Sequence, residues 1–286
     1  PVGASLVYSV CDYSVLRPPR FIGLANYREL LSDRVFHIAL QNTLTFAAIS
    51  IGLTLVASLG LALLLASERR GARLYRTIFF MPVLIPQVAV ASILLWVFHS
   101  EHGVVNLAWR GAADALYWLP RDALGLNAVP PEPPTWISQQ WAMTTLIIAS
   151  LWSIGNAMII YIAGLQGVPK QLYEAADLDG AGPLTKAWYI SLPMIGPLIL
   201  FNLIMGIIGA FNMFALPYFM TSGNQSYNLG HSITFYAPLI NQTAIEDLRM
   251  GYASAMAWVL FAIVFLLTLI VMRFAMGRVY YGGGER

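Results

Sequence analysis

The chain alternates between long apolar stretches and short polar segments. A helix needs about 20 mostly apolar residues to cross the hydrocarbon core of a bilayer. Five stretches without Asp, Glu, Lys or Arg reach that length: residues 35–67, 77–100, 133–169, 187–245 and 250–272. The fourth is too long for one helix, and its second part, residues 221–243, is rich in Gly, Asn, Ser and Gln, which predicts a loop. The pattern therefore predicts five full membrane spans, the fourth of them over about residues 190–220.

The start of the chain and its longest outer interval extend this picture. Residues 1–10 are apolar but too short to span, and we interpret them as the end of a truncated first helix. Residues 1–34 then form this end and an outer segment, and residues 35–286 form the transmembrane domain. An outer insertion, residues 101–136, contains a short predicted helix at 103–119 and a proline-rich linker that cannot be helical. This insertion is either a peripheral elaboration or a surface for an external partner.

Composition supports a membrane protein. Hydrophobic residues make up 58% of the 286 positions and charged residues 10%, whereas a soluble domain carries roughly 25% charged residues. The net charge of +2 is too small for a surface that binds nucleic-acid phosphates. The single cysteine, Cys11, excludes an intramolecular disulfide and a cysteine-built metal site. The predicted fold class is an all-α, polytopic helical bundle in a membrane.

Basic residues in the connecting segments indicate the orientation, because Lys and Arg are more frequent on the cytoplasmic side. The short segment 68–76 carries four arginines, so we place it inside. Alternation then places residues 167–189 and the C-terminal tail inside as well. This topology puts nine of the 16 basic residues inside and seven outside, a small bias in favour of the assignment.

The second inside segment has an unusual local sequence. Residues 172–179 are good helix formers. Gly180 and Gly182 end that helix, and Pro183 suits the first turn of another. The segment therefore predicts two short helices at the membrane surface, joined by a glycine turn. Small residues at such a turn let the surface of another protein approach the backbone closely.

One pattern in this segment is specific: Glu-Ala-Ala, three residues, Gly, nine residues, Ile, one residue, Leu-Pro. It is formed by Glu174, Ala175, Ala176, Gly180, Ile190, Leu192 and Pro193. The pattern matches the cytoplasmic EAA motif, and the chain accordingly resembles the permease subunits of binding-protein-dependent ABC importers. Residues 21–27 resemble an outer segment of the carbohydrate, maltose-type branch of that family, and Asn42, Thr43, Arg76 and residues 251–255 are similar as well.

The resemblance implies a type I ABC importer transmembrane domain in the inner membrane, with four kinds of neighbour. These are membrane lipid, a second and different permease chain, two cytoplasmic ATPases and an external solute-binding protein. ATP and Mg would belong to the partner ATPase, and this chain would be no enzyme and hold no cofactor. The sequence has no Gly-x4-Gly-Lys-Ser/Thr loop for nucleotide phosphates. The residues expected to couple to the ATPase are Glu174, Ala175, Ala176, Asp179, Gly180, Ala181, Leu192 and Pro193.

Polar residues inside spans are costly unless they line a pathway or pair with one another. Neutral amides and aromatic rings suit a sugar, because amides bind hydroxyl groups and rings stack on the apolar faces of pyranoses. The candidates for the substrate pathway are Trp152, Ser153, Asn156, Asn202, Asn212, Phe214 and Tyr218. Each asparagine has an alternative role, which is to hydrogen-bond to a neighbouring helix.

The leading hypothesis is a permease subunit that forms the translocation pathway of an ATP-driven importer for a sugar or oligosaccharide. One alternative is the same machinery with glycerol phosphate or another polyol-type solute. In another class, an ion-driven secondary transporter needs an intramembrane carboxylate or a broken-helix ion site, together with an internal repeat, and the sequence indicates neither. His99 and His102 flank Glu101, but without further ligands nearby they do not predict a metal site.

Overall fold

The computed structural model describes residues 2–66, 71–118, 131–222 and 230–276. Its first elements comprise a short outer part and the first full span. They are helix α1 (Val2–Ser9), the antiparallel hairpin β1 (Cys11–Ser14) and β2 (Arg17–Phe21), helix α2 (Ala25–Ser32) and the long helix α3 (Arg34–Leu65). Helix α1 packs mainly against α15, the last helix of the described part, which is defined below.

The middle of the chain contains two interrupted spans. Helix α4 (Ala72–Phe80) continues into a 3₁₀ turn (Met81–Leu84) and meets α5 (Gln87–Val97) at 105°. Helix α6 (Val104–Trp118) follows in the outer insertion, as predicted, and residues 131–135 of the linker are neither helix nor strand. Helices α7 (Ala142–Ser150) and α8 (Ile154–Gln166) form one span with a 3₁₀ turn at Leu151–Ser153 between them.

The last third contains the inside loop and two further spans. The inside loop is built from α9 (Lys170–Leu178), α10 (Pro183–Lys186), a π-helical turn (Ala187–Ser191) and α11 (Leu192–Met194). Helices α12 (Gly196–Phe211) and α13 (Ala215–Ser222) form the next span, the outer side then carries α14 (Tyr236–Asn241) and a π-helical turn (Gln242–Glu246), and α15 (Met250–Met276) ends the described part.

Four candidate spans are long and apolar enough to cross a membrane, and the bent pair α4–α5 supplies a fifth if it is counted as one span. This agrees with the five spans that the sequence predicts. Helix α3 lies between α8 and α12 and packs along both of them. Its inner half meets α8 in a cluster that contains Ala62, Met158, Tyr161 and Ile195, all of them buried.

Arg76 joins the inner ends of two spans. Its guanidinium donates hydrogen bonds to the carbonyl oxygens of Leu65 and Ala66, at the C-terminal end of α3. A cation at a helix C-terminus satisfies carbonyls that have no partner within the helix and interacts favourably with the helix dipole. Arg76 thereby fixes α4 to α3, which gives a structural role to one of the residues on which the family resemblance rests.

The prediction of a loop over residues 221–243 was wrong in its second half. Residues 223–229 lie outside the described part, but α14 and the following π-helical turn occupy residues 236–246. A long-range contact holds this segment: Thr43 Oγ1 accepts a hydrogen bond from the backbone N–H of Tyr236 at 3.1 Å. Asn42 Nδ2 donates to the carbonyl oxygens of His231 and Thr234 at 2.8 and 3.1 Å. Partners 190 positions away cannot be read from local composition, and the helix was therefore missed.

Two side-chain pairs tie α2 and the start of α3 to the start of α15. Glu29 accepts hydrogen bonds from Arg249 at 2.7 and 2.8 Å, which holds the pKa of Arg249 above its ordinary value. Asp33 caps α3 by accepting from the backbone N–H of Val35, and it also accepts from the hydroxyl of Tyr252 at 2.9 Å. The outer segment is therefore joined to the transmembrane bundle through polar contacts.

The buried side chain of Asn26 links α2 to the end of α1 and to the hairpin. Its buried amide donates to the carbonyl oxygens of Ser9 and Cys11 at 2.9 and 3.0 Å. Asn26→Leu leaves both carbonyls without this donor, and an unsatisfied buried polar group costs about 1–3 kcal/mol. We expect a clearly lower thermal unfolding temperature in detergent. Tyr27→Phe, which removes one hydrogen bond to Ser9 Oγ, should lower it less; equal unfolding temperatures for Asn26→Leu and the parent protein would contradict this role.

Candidate functional site

The inside loop is built around a left-handed glycine. Helix α9 ends at Leu178, and Gly180 has φ +75°. The N–H of Gly180 donates to the carbonyl of Asp177 at 3.1 Å, and the N–H of Ala181 donates to that of Ala176 at 2.8 Å. This pair of bonds is a Schellman motif, in which a residue without a Cβ accepts the left-handed conformation at little cost. The predicted helix, glycine stop and restart at Pro183 are therefore present.

Two side-chain contacts brace the halves of the loop against each other. The hydroxyls of Tyr173 on α9 and Ser191 in the π-helical turn lie 2.9 Å apart within hydrogen-bonding distance, and Ser191 is buried. Lys186 Nζ on α10 pairs with the carboxylate of Asp177 on α9. Neither contact was part of the sequence prediction. Lys186 is one of only two lysines in the chain and follows Asp177 by nine positions. This spacing was the signal in the sequence from which the ion pair could have been predicted.

Most of the residues predicted to couple to an ATPase are exposed on the surface of this inside loop. Glu174, Ala175, Asp179 and Gly180 are exposed, and Ala176 and Ala181 are half-buried. Glu174 makes no hydrogen bond or ion pair with any residue that the structure describes. Leu192 begins α11 with Pro193 in its first turn, and the span helix α12 begins only at Gly196, after a break at Ile195.

Large apolar side chains surround the motif, and the sequence prediction had not singled them out. Leu178 is 91% exposed and Tyr189 is 80% exposed, and Leu184 and Trp188 are exposed as well. We call these four residues the apolar rim. Large apolar side chains that are exposed on a loop at a membrane surface are suited to contact a protein partner or the membrane interface. A protein partner at the inner membrane surface would bury them together with the small residues of the turn.

The predicted pathway residues fall into two groups. Ser153 and Asn156 are exposed at the start of α8, and the amide of Asn156 makes no hydrogen bond within the described ranges. Trp152 is half-buried, and its Nε1–H, fully buried, has no acceptor among those residues. An exposed amide near the middle of an apolar span is costly against lipid, and the exposure of Asn156 therefore leaves it a candidate for the pathway.

The second group lies on α12, on α13 and in the short segment between them. Asn212 directly follows α12, is exposed, and continues the face formed by the exposed residues of that helix, which are Phe201, Met205, Ile208 and Gly209. Phe214 and Tyr218 stack with ring centroids 4.9 Å apart. No hydrogen bond or ring contact in the described part joins this group to Trp152, Ser153 or Asn156.

Neither Asn202 on α12 nor Asn212, the residue that follows α12, bonds to a neighbouring helix in the described part. Asn202 Nδ2 donates to the carbonyl of Leu198 at 3.0 Å, and Asn212 Nδ2 donates to that of Ile208 at 2.8 Å; both acceptors belong to α12 and lie one turn earlier in the chain. Within the described part of this chain, neither amide therefore makes the bond that the alternative role requires. The amide oxygen of Asn212 remains available for a hydroxyl donor because its side chain is exposed.

Comparisons with known proteins show which family and which fold the chain resembles. The profile of the family described as "Binding-protein-dependent transport system inner membrane component" matches residues 58–278. The "Probable ABC transporter permease protein YesP" of Bacillus subtilis is 35% identical, over 100% of this chain and 87% of the relative. The "Sulfoquinovosyl glycerol transport system permease protein SmoG" of Agrobacterium fabrum is 34% identical, over 90% of this chain and 77% of the relative.

Among solved structures, the chain is similar to one from a bacterial ABC transporter involved in the import of the acidic polysaccharide alginate. The TM-score is 0.72 at 21% identity, with 90% of this chain and 84% of that chain covered. A likeness at this identity establishes the fold, which is that of an ABC importer transmembrane domain.

Proposed function

The chain belongs to the family of binding-protein-dependent transport system inner membrane components, and on that premise we propose that it forms half of the translocation pathway of an ATP-driven sugar importer. Its own part is transport across the inner membrane. A second permease, two cytoplasmic ATPases and an external solute-binding protein complete the machine. ATP and Mg bind to the ATPases, so the energy reaches this chain only through contacts.

The observation that carries the proposal is the exposed, braced inside loop. The Schellman turn at Gly180 and the two contacts between its halves make α9 and α10 one rigid unit. The apolar rim supplies the area that a partner can bury, and the small residues of the motif permit close approach of the backbone. Movement of a docked ATPase would be passed along α8 and α12, which enter and leave the loop.

A neutral, hydroxyl-rich substrate fits the side chains best. Among the predicted pathway residues, the exposed polar groups are the amides of Asn156 and Asn212 and the hydroxyl of Ser153, and the stacked pair Phe214 and Tyr218 offers an apolar ring surface. The names of SmoG and of the alginate importer concern sugar derivatives, the latter an acidic one, so they support the sugar class and not the absence of charge. We therefore assign this chain to a sugar or oligosaccharide importer, with glycerol phosphate as the competing solute to be tested.

The direct test is affinity purification of the tagged chain from its native membrane in mild detergent, followed by mass spectrometry. We expect a P-loop ATPase, a second permease and a solute-binding protein to be recovered with it. Binding of a panel of labelled oligosaccharides, monosaccharides and glycerol phosphate to the recovered binding protein then identifies the solute. Recovery of the chain alone, even after crosslinking, would contradict the importer assignment.

Asn212 provides a test of the pathway itself. Asn212→Leu removes an exposed amide that does not hold a neighbouring helix, so assembly with the ATPase should be unchanged. Loss of one hydrogen bond to substrate is worth about 0.5–1.5 kcal/mol, and we expect the KM for uptake to rise about 2- to 10-fold. Asn212→Gln, which keeps the amide, should restore most of the uptake. Identical kinetics for Asn212→Leu and the parent protein would remove this residue from the pathway.

A further inference from the structure

Two of the spans are interrupted within the membrane, and the interruptions touch each other. The α4–α5 span breaks at the 3₁₀ turn Met81–Leu84, and the α7–α8 span breaks at the 3₁₀ turn Leu151–Ser153. The two turns are in contact, and α4 also packs against α8. The break in α7–α8 lies 13 residues before the inner end of the span at Gln166, which is roughly 20 Å along a helix and so well inside the bilayer.

Gly155 is the point of closest approach between the two backbones. It is buried in the first turn of α8, and a Cβ built on it would lie 2.0 Å from the carbonyl oxygen of Phe79 and 2.9 Å from Cα of Phe80. An unstrained contact between carbon and carbonyl oxygen needs roughly 3.3–3.6 Å. Any residue other than glycine would therefore push the end of α4 away by more than about 1 Å, because backbone atoms cannot turn aside as a side chain can.

Helix α8 connects this contact to the inside loop. It runs without interruption from Ile154 to Gln166, and α9 begins only four residues later, at Lys170. At the other side of the contact, Arg76 holds the start of the bent pair to the end of α3. A displacement of the loop would thus move α8 as a rod, while the inner part of α4 stays attached to α3. The part that can change its angle in response is then the bend between α4 and α5.

We propose that Gly155 is the positioning residue through which α8 moves the α4–α5 bend, so that closure of the ATPases opens or closes the pathway at this depth. The inference rests on the proposed function, and it adds the point within the membrane at which movement of the inside loop passes from α8 to the α4–α5 bend. Two exposed polar side chains flank Gly155 in the sequence, Ser153 in the 3₁₀ turn and Asn156 on α8, and a third, Gln87, begins α5 directly after the bend. A movement of the bend would therefore change the polar surface that a solute meets.

The test compares Gly155→Ala with Gly60→Ala in the complete transport complex in proteoliposomes. Gly60 lies on the span helix α3, and a Cβ built there meets nothing within 4 Å. We expect Gly155→Ala to assemble with its ATPase and to retain basal ATP hydrolysis, but to lose at least about tenfold in solute transported per ATP. Gly60→Ala should match the parent protein in all three quantities. Normal transport per ATP in Gly155→Ala, or failure of that variant alone to assemble, would overturn the proposal.

A distance measurement shows whether the bend moves. In a Cys11→Ala background, nitroxide labels at Gln87→Cys and Gln166→Cys report on the start of α5 and the inner end of α8, where both native side chains are exposed. We expect the distance between labels to differ between the nucleotide-free and ATP-trapped complexes with Gly155, and to stay fixed with Gly155→Ala. The same change in both proteins would contradict transmission through Gly155. Failure of the labelled parent chain to bind any ATPase would instead contradict the proposed function.

Discussion

Replacing Gly180 with Val is expected to reduce both uptake and recovery of the ATPase with the purified chain by about 5- to 30-fold. The backbone of Gly180 has φ +75°, and a residue with a Cβ in the left-handed region costs roughly 1–2 kcal/mol, which corresponds to that factor in an equilibrium constant. For a β-branched residue such as valine, the free-energy cost of the left-handed conformation lies at the upper end of this range. The turn would rearrange, and the two halves of the loop would no longer present one surface.

Gly182→Ala is the matched control for this variant. Gly182 has φ −71° and nothing within 4 Å of a built Cβ, so alanine fits there without strain. Its uptake and ATPase recovery should stay within about twofold of the parent protein. Measurement of both variants in the same membranes, with the amount of inserted chain determined by immunoblot, separates coupling from expression. Equal uptake by Gly180→Val and Gly182→Ala would show that the left-handed turn is not needed for coupling.

Leu178→Asp is expected to have a similarly large effect without any loss of stability. Leu178 is 91% exposed in the isolated chain, so its replacement removes almost no packing within the chain. If it lies at the centre of the contact with an ATPase, its loss acts like that of an interface hot spot. Such residues contribute at least about 2 kcal/mol, or roughly 30-fold in Kd, and a buried unpaired carboxylate adds to the penalty.

Leu116→Asp provides the comparison on the opposite side of the membrane. Leu116 lies on α6 and is 74% exposed, so the same chemical change is made at a similarly exposed leucine. We expect the ATPase to be recovered normally with Leu116→Asp and to be largely lost with Leu178→Asp. Equal recovery with both variants would mean that the apolar rim is not the docking surface.

The parts of the fold that depend on local sequence were predictable. Long apolar stretches specify the spans, and the glycine after 172–179 specifies the end of α9, because both effects act within a few residues. The short outer helix at 103–119 was confirmed for the same reason. The EAA spacing identified the inside loop before its geometry was known, since every fixed position of that motif is present.

The parts that depend on distant contacts were not predictable. Helix α14 is held by Thr43 and Asn42, and the loop is braced by Tyr173 with Ser191, so the stabilising partner lies outside any local window. The apolar rim was missed because its members look like ordinary core residues until their exposure is known. The contact between the 3₁₀ turns of α4–α5 and α7–α8 depends on how these two spans cross. That geometry is not encoded in any single stretch of sequence. The assignment of pathway residues remains a prediction.

The most direct measurement is site-specific photo-crosslinking from the inside loop. A photoreactive phenylalanine analogue replaces Leu178 in one variant and Leu107, an exposed residue on outer helix α6, in another. After irradiation of native membranes, mass spectrometry identifies the crosslinked partner. We predict an adduct with a P-loop ATPase from position 178 and none from position 107. An adduct with no ATPase from position 178, while the protein is inserted and abundant, would contradict the assignment of this loop as the site of ATPase coupling.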